Sequence, residues 1–199
     1  MIVVVALLSV LGGLGVSVAI VAGIAGAVHS AAGRLDSAKV PVASHVTVTE
    51  SMQIETGKMD GRPGWPRYTN RSWTVHEGET VTLRIRSFDD GTAPLTGSQV
   101  MFDSVQGTLG GVETVDGKAV SSVPNSDVAH TFTVVGLGLN MPVPAAPTGG
   151  SVTVVARFVA TRAGEFVWQC YAPCGSGSSS MGGAMSTMGW MEGTIRVLR

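Results

Sequence analysis

Charge is scarce in this chain. Only 14% of the residues are charged, and 13 basic residues almost cancel 14 acidic ones to leave a net charge of −1. A balance this close to neutral offers no basic stripe for nucleic acid and no strong pull toward an anionic bilayer surface. Cysteine is equally sparse: Cys170 and Cys174 are the only two in 199 residues, which excludes a disulfide framework. In an oxidising compartment two thiols this close are either held by a metal or oxidised into a small loop. Enzyme signatures are missing as well. The sequence has no Ser-His-Asp arrangement, no glycine-rich phosphate loop opening a helix and no paired-carboxylate motif. The neighbouring acids Glu77 and Glu79, and Asp89 and Asp90, read as solvated edges.

The first feature present is an uncharged run at residues 2–28. It exceeds the ~7–15 residues of a signal h-region and is long enough for a helix that crosses a bilayer. Residues 1–30 therefore read as a transmembrane anchor, with a signal cut near Ser30 and Ala31 as the alternative. No Lys or Arg precedes the run, so the positive-inside rule sets no orientation. On either reading the rest of the chain is expected to be exported, with a soluble domain on the extracytoplasmic side of the cell membrane. Residues 31–44, broken by Pro41, read as a linker, and residues 45–199 as one domain with a genuine core.

Helical periodicity is absent beyond the N-terminus, while 27 glycines and 9 prolines punctuate Val- and Thr-rich segments. HVTVTESMQIE, from His45, alternates as a first strand. WTVHEGETVTLRIRSFD predicts a β-hairpin turning at Glu77 and Gly78, with Val81, Leu83 and Ile85 on one face. His76 sits at that turn as a solvated histidine. Residues 89–127 are loop-heavy, with QVMFDSV and KAVSSV as short strands. A stretch this long without periodicity is often functional or contacts a partner. HTFTVVGLGLNMPVPA reads as a strand and a proline-ended loop, and GSVTVVARFVATRAGEFVWQC as two strands in a hairpin around Thr161 to Gly164. The sum is about seven or eight strands, the count of an antiparallel sandwich.

The chemistry concentrates in the final third. EFVWQ delivers Cys170 to a loop holding Cys174, Met181, Met185, Met188 and Met191, and GTIRVL leaves it. That loop holds no Lys, Arg or His, and its only acid is Glu192 at the exit. Thiolate and thioether are soft ligands that suit copper. His130, in the alternating DVAHTFTV, offers an imidazole. A mononuclear site of His130, Cys170, Cys174 and one methionine is chemically sensible and favours Cu(I). The alternatives are a disulfide across the Pro173 loop and a buried His130 satisfied by backbone groups. Met185 and Met188 read as adaptable packing, and Trp168 and Trp190 as core and rim aromatics.

HTF, AGEFVWQC, PCG and GWMEGTIRVL together resemble the cupredoxin family over about residues 70–199. They also resemble the copper domain of cytochrome oxidase subunit II and related exported actinobacterial proteins. The resemblance implies an all-β, antiparallel Greek-key sandwich following an N-terminal hydrophobic helix. It implies copper held by His130 as the strand histidine, Cys170 as the strand-end cysteine and Met191 as the axial ligand. In the binuclear subunit II pattern, Cys170, Cys174, Gly175 and Met181 match. Ser178 stands where that pattern has a histidine, and Ala172 where it often has a glutamate. The mononuclear pattern places its loop histidine at Thr187. Residues 171–199 contain no histidine, so both patterns lack the same ligand.

By this resemblance the chain is an anchored copper protein that passes electrons in or to a respiratory oxidase complex. Its partners are then the membrane and respiratory subunits or a redox protein, with no catalysis of its own. Two other readings stand beside it. One is a metal-free structural subunit closed by a disulfide, using the 89–127 segment and the methionine-rich loop as contact surfaces. The other is a Cu(I)-handling chaperone.

Overall fold

Period-2 alternation builds this domain, but the pairing of its strands does not follow their order. The structure, a computed structural model, describes residues 46–199. The run at 2–28 with its expected helix, the linker and His45 lie outside the described residues. Among the described residues no helix is long and apolar enough to cross a membrane. The strands are β1 (Thr47–Glu55), β2 (Arg67–Tyr68), β3 (Ser72–His76), β4 (Thr80–Ser87), β5 (Glu113–Val115), β6 (Lys118–Val120), β7 (Val128–Val134), β8 (Leu139–Pro144), β9 (Val152–Val159), β10 (Gly164–Gln169) and β11 (Glu192–Leu198). They form a six-stranded sheet, β2-β1-β4-β9-β5-β6, and a five-stranded sheet, β3-β11-β10-β7-β8.

The expected faces are right and the expected hairpins are not. Val81, Leu83 and Ile85 all point into the core with no exposure. Yet β3 pairs with β11 in one sheet while β4 lies between β1 and β9 in the other. The turn at Gly78 is therefore a corner between sheets, made possible by a left-handed glycine at φ 86°. β9 and β10, the second expected hairpin, are likewise split between the sheets. The two corners lock together, with Gly78 N donating to Ala160 O at 2.8 Å and Ala160 N to Glu79 O at 3.0 Å. Alternation specifies which side of a strand is buried, not which strand lies beside it. Two pairs, β1 with β4 and β3 with β11, run parallel, so the sandwich is mixed rather than antiparallel.

The 89–127 segment is a cover. QVMFDSV forms a 3-10 turn at Gly97–Asp103 instead of a strand, while KAVSSV supplies β6. Asn140 Nδ2 of β8 donates to the carbonyls of Phe102 at 3.0 Å and Ser104 at 2.8 Å, pinning the segment over that sheet. The proline-ended loop is itself β8, an edge strand where Pro142 and Pro144 are tolerated. Covered on both sides, β7 is buried at every position. Tyr68, Phe132 and Trp168 meet between the sheets, Trp168 lying 5.0 Å from Tyr68 and 5.3 Å from Phe132 by ring centroids.

One core position breaks the pattern. Glu113 opens β5 with 1% exposure, and neither carboxylate oxygen has a hydrogen-bond partner among the described residues. Burial alone pushes its pKa up to about 9. The folded state therefore keeps a proton that the unfolded chain gives up near its ordinary 4.5. Stability falls as pH rises from that value toward 9, because the folded state binds more protons in that window. Replacing Glu113 with Leu is expected to stabilise the domain at pH 8 by on the order of several kcal/mol. Thermal melts of both proteins between pH 5 and 9 check this: the gap in melting temperature between variant and wild type is expected to widen as pH rises through that range, and a constant gap would show that Glu113 keeps no proton on folding.

Candidate metal centre

The ladder between β7 and β10 is limited to Thr133 opposite Gln169, and beyond it the strands give way to side-chain contacts. Thr131 N, with no strand carbonyl to meet, donates to Cys170 Sγ at 3.3 Å, and Tyr171 N donates to Thr131 Oγ1 at 2.8 Å. Cys170 N donates to Met191 O at 2.9 Å, which ties the loop's exit to its entrance. Cys170 is fully buried and thereby fixed from three directions.

The loop then turns back on itself. Ser176 and Gly182 bond reciprocally at 3.2 and 2.8 Å, and Gly175 N donates to Ser180 O at 2.8 Å. A Cβ at Gly175 would strike the Gly182 carbonyl and approach Met185 Cγ to 2.6 Å. Glycine at 175 is what lets the 3-10 turn Gly183–Ser186 bring Met185 under Cys174. Cys174 Sγ lies 3.0 Å from Met185 Sδ and 3.5 Å from Cys170 Sγ. Both cysteines are free, the sulfurs standing well beyond a covalent bond of about 2.05 Å.

His130 shares the inward face of β7 with Phe132 and is entirely buried. Its Nε2 lies 3.1 Å from Asp89 Oδ2. Its Nδ1 is buried with no hydrogen-bond partner. A nitrogen of this ring and the sulfurs of Cys170 and Cys174 all lie within 4.8 Å of one another. With Nε2 turned to Asp89, Nδ1 is the nitrogen left for a metal. A carboxylate on the far nitrogen of a ligating histidine is the usual support for such a ligand.

Electrostatics bind these groups into one unit. Burial would lower the His130 pKa, but Asp89 and Cys170 outweigh it and raise it to about 9. Burial would raise Asp89, and the hydrogen bond from His130 instead brings it down. Cys170, although buried, is pushed well below an ordinary thiol by Cys174, His130 and the Thr131 N–H. Cys174 is pushed well above by burial and by the Cys170 thiolate beside it. The metal-free site thus holds an imidazolium between two anions, with one thiol still protonated.

The sequence candidates separate clearly. His130, Cys170 and Cys174 converge. Met191 is fully buried and meets Cys170 through its backbone carbonyl. Met181 is half-buried; its Sδ accepts from Gln99 Nε2 at 3.5 Å, and it lines a cleft of about 590 Å³ with Pro173, Ser178, Ser179 and Ser180. Met185, read from sequence as packing, is the methionine whose sulfur meets a cysteine. Asp89, read as a solvated edge, was missed, since nothing in its local pattern marks it as the partner of a histidine 41 residues later. Ser178 is exposed, and the Thr187 hydroxyl is taken by Gly183 O at 2.8 Å. His76 is at an exposed turn beside Glu79, as expected.

No family model matches the sequence, and no curated protein is similar to it. Solved structures similar in outline include a multi-copper oxidase from Pediococcus acidilactici, at 13% identity and a TM-score of 0.39 over 78% of this chain and 27% of that one. The chain thus spans about a quarter of that oxidase. Rusticyanin from Thiobacillus ferrooxidans is similar at 17% identity and a TM-score of 0.39, over 77% of this chain and 79% of the other. Auracyanin A from Chloroflexus aurantiacus, described as a "blue" copper protein, is similar at 14% identity and a TM-score of 0.34, over 76% and 98%.

The orphaned Nδ1 and the clustered sulfurs fit a soft metal ion. Asp89→Asn removes the charge that orients His130, and is expected to weaken Cu(I) binding by about 10–100-fold. Competition against a calibrated Cu(I) chelator measures it; equal affinities would show that Asp89 plays no such part. Binding should also tighten as pH rises toward 9, because the metal must displace the His130 proton.

Proposed function

We propose that the domain is a cupredoxin-like copper protein that passes single electrons. One observation carries the reading: a fully buried histidine has one nitrogen held by Asp89 and the other unpartnered beside two thiols. Without metal that nitrogen carries a proton facing the Cys170 thiolate, and a metal ion would take the proton's place. His130 Nδ1, Cys170 Sγ, Cys174 Sγ and Met185 Sδ make a donor set of one nitrogen and three sulfurs, which suits copper in its reduced form. Copper bound there supplies one-electron chemistry by alternating between Cu(I) and Cu(II).

The chain's own residues hold the geometry through that change. Asp89 orients the imidazole, Thr131 N–H supports the Cys170 sulfur, and the Met191 carbonyl anchors the Cys170 backbone. Burial of His130 and Cys170 excludes water from two of the ligands. The apolar run at 2–28 supports a membrane anchor, and the loop's resemblance to subunit II supports an exported domain that serves a respiratory complex.

Copper handling is favoured by a different observation. A cleft of about 250 Å³ lined by Asp89, Pro173, Cys174 and Gly175 opens the half-buried Cys174 side of the centre to solvent. A metal could enter or leave there.

Copper titration of reduced protein separates these readings. Electron transfer predicts one Cu(I) per chain and a coloured form on oxidation. Tight colourless Cu(I) that is lost on oxidation supports handling, and no binding leaves a metal-free scaffold. Cys170→Ser is expected to abolish the colour. Met185→Leu is expected to weaken Cu(I) binding by tenfold or more, on the order of one lost ligand contact, while Met188→Leu leaves it unchanged. Equal effects from the two methionine variants would remove Met185 from the ligand set.

A further inference from the structure

Two bonded routes leave Cys170, and both reach the same aromatic group. Cys170 N–H donates to Met191 O at 2.9 Å, and Met191 is covalently joined to Trp190. Independently, Cys170 Sγ accepts from Thr131 N at 3.3 Å, Thr131 O accepts from Tyr68 Oη at 3.1 Å, and Tyr68 N donates to Trp190 O at 2.9 Å. Covalent and hydrogen bonds carry electronic coupling much better than gaps between unbonded atoms. Trp190 is therefore a tryptophan that two bonded routes join to the buried sulfur and that also reaches the surface.

At that surface Trp190 meets Trp65 edge to face, with ring centroids 5.1 Å apart. The Arg62 guanidinium sits 3.5 Å over the Trp65 ring and 5.0 Å from that of Trp190. The Arg71 stem packs over Gly189, the neighbour of Trp190, where an added Cβ would come within 3.1 Å of Arg71 Cδ. Both arginines are exposed, and among the described ion pairs neither takes part; Arg67 bridges Glu55 and Asp60, each at 2.7 Å. Residues 56–72 carry Lys58, Arg62, Arg67 and Arg71 against Asp60 alone, in a chain whose net charge is −1. The positive charge of this patch is a local concentration and not a property of the whole surface.

We propose that electrons cross the boundary of the protein at Trp190, and that Trp65, Trp190, Arg62 and Arg71 form the docking surface for a one-electron redox protein with an acidic rim. The arginines attract the partner's carboxylates, and the two indoles present a flat apolar centre against which its cofactor edge can rest. This rests on the copper reading for its route, and on the surface alone for its charge preference.

The test has two arms so that the two can fail separately. In metal-free protein, iodide is expected to quench tryptophan fluorescence more strongly than caesium. Trp73 and Trp168 are buried, so the quenched emission comes from Trp65 and Trp190. Arg62→Glu with Arg71→Glu should reverse that preference; an unchanged preference overturns the docking surface whatever the metal content. In Cu(I)-loaded protein, one electron passes from copper to ferricyanide, giving Cu(II) and ferrocyanide with no proton moved. The double arginine variant should slow this reaction by about tenfold or more at low salt, converging with wild type as salt rises. With the cationic oxidant tris(phenanthroline)cobalt(III) the same variant should be faster than wild type.

Lys118→Glu, on β6 at the opposite edge of the six-stranded sheet from β2, should change neither rate appreciably. Trp190→Leu should slow both oxidants at unchanged copper content, and Trp190→Phe should restore most of the loss if the leucine variant folds poorly. Identical rates for all variants would overturn the route. Failure of the protein to take copper at all would defeat the copper reading and the route with it, while the quenching arm still decides the surface.

Discussion

The hydrogen bond between Asp89 and His130 is the interaction on which the centre depends. A neutral imidazole buried without partners would be costly, and one bonded on both nitrogens would be inert toward a metal. Asp89 satisfies Nε2 and leaves Nδ1 unpartnered among sulfurs. Asp89 is held in turn by its own surroundings: its Oδ1 accepts from Gly91 N at 3.0 Å, and its backbone carbonyl accepts from Ala146 N at 2.8 Å. The connection from β4 to the covering segment and the connection from β8 to β9 are thereby both fastened to the carboxylate that aims the histidine.

The sandwich positions the centre through its irregularities. Regular pairing would have continued β7 against β10 and used the Thr131 N–H in a ladder. Because the ladder is limited to Thr133 and Gln169, that N–H is free to support a sulfur. The corners at Gly78 and Ala160 serve the opposite end, where they hold the two sheets in register without any hairpin between them. Hydrogen-bonded corners at one end and interrupted pairing at the other leave the loop end of the fold to specialise.

Much of this was legible in the sequence, and the failures have a common cause. Periodicity identified the inward face of β4, with Val81, Leu83 and Ile85, because burial of alternate residues is a local property of a strand. It misplaced β3 against β4 because neighbour relations are set by the whole topology. His130, Cys170 and Cys174 were legible because strand ends and soft ligands coincide there. Asp89 was invisible, its partner lying on a strand from which the long covering segment separates it. Met185 and Met181 look alike in sequence, and only the fold of the loop at Gly175 and Gly182 chooses between them.

Charge explains why the absence of a second histidine need not disable the site. The metal-free centre already contains an imidazolium, the Cys170 thiolate and the Asp89 carboxylate, with Cys174 still protonated. A monovalent copper ion at His130 Nδ1 would take the place of the departing proton, leaving the buried charge the same before and after binding. That exchange needs only one imidazole and one thiolate. A site assembled from one nitrogen, one thiolate, one thiol and one thioether would therefore hold a soft monovalent ion with ligands drawn entirely from the fold's own loop and strands.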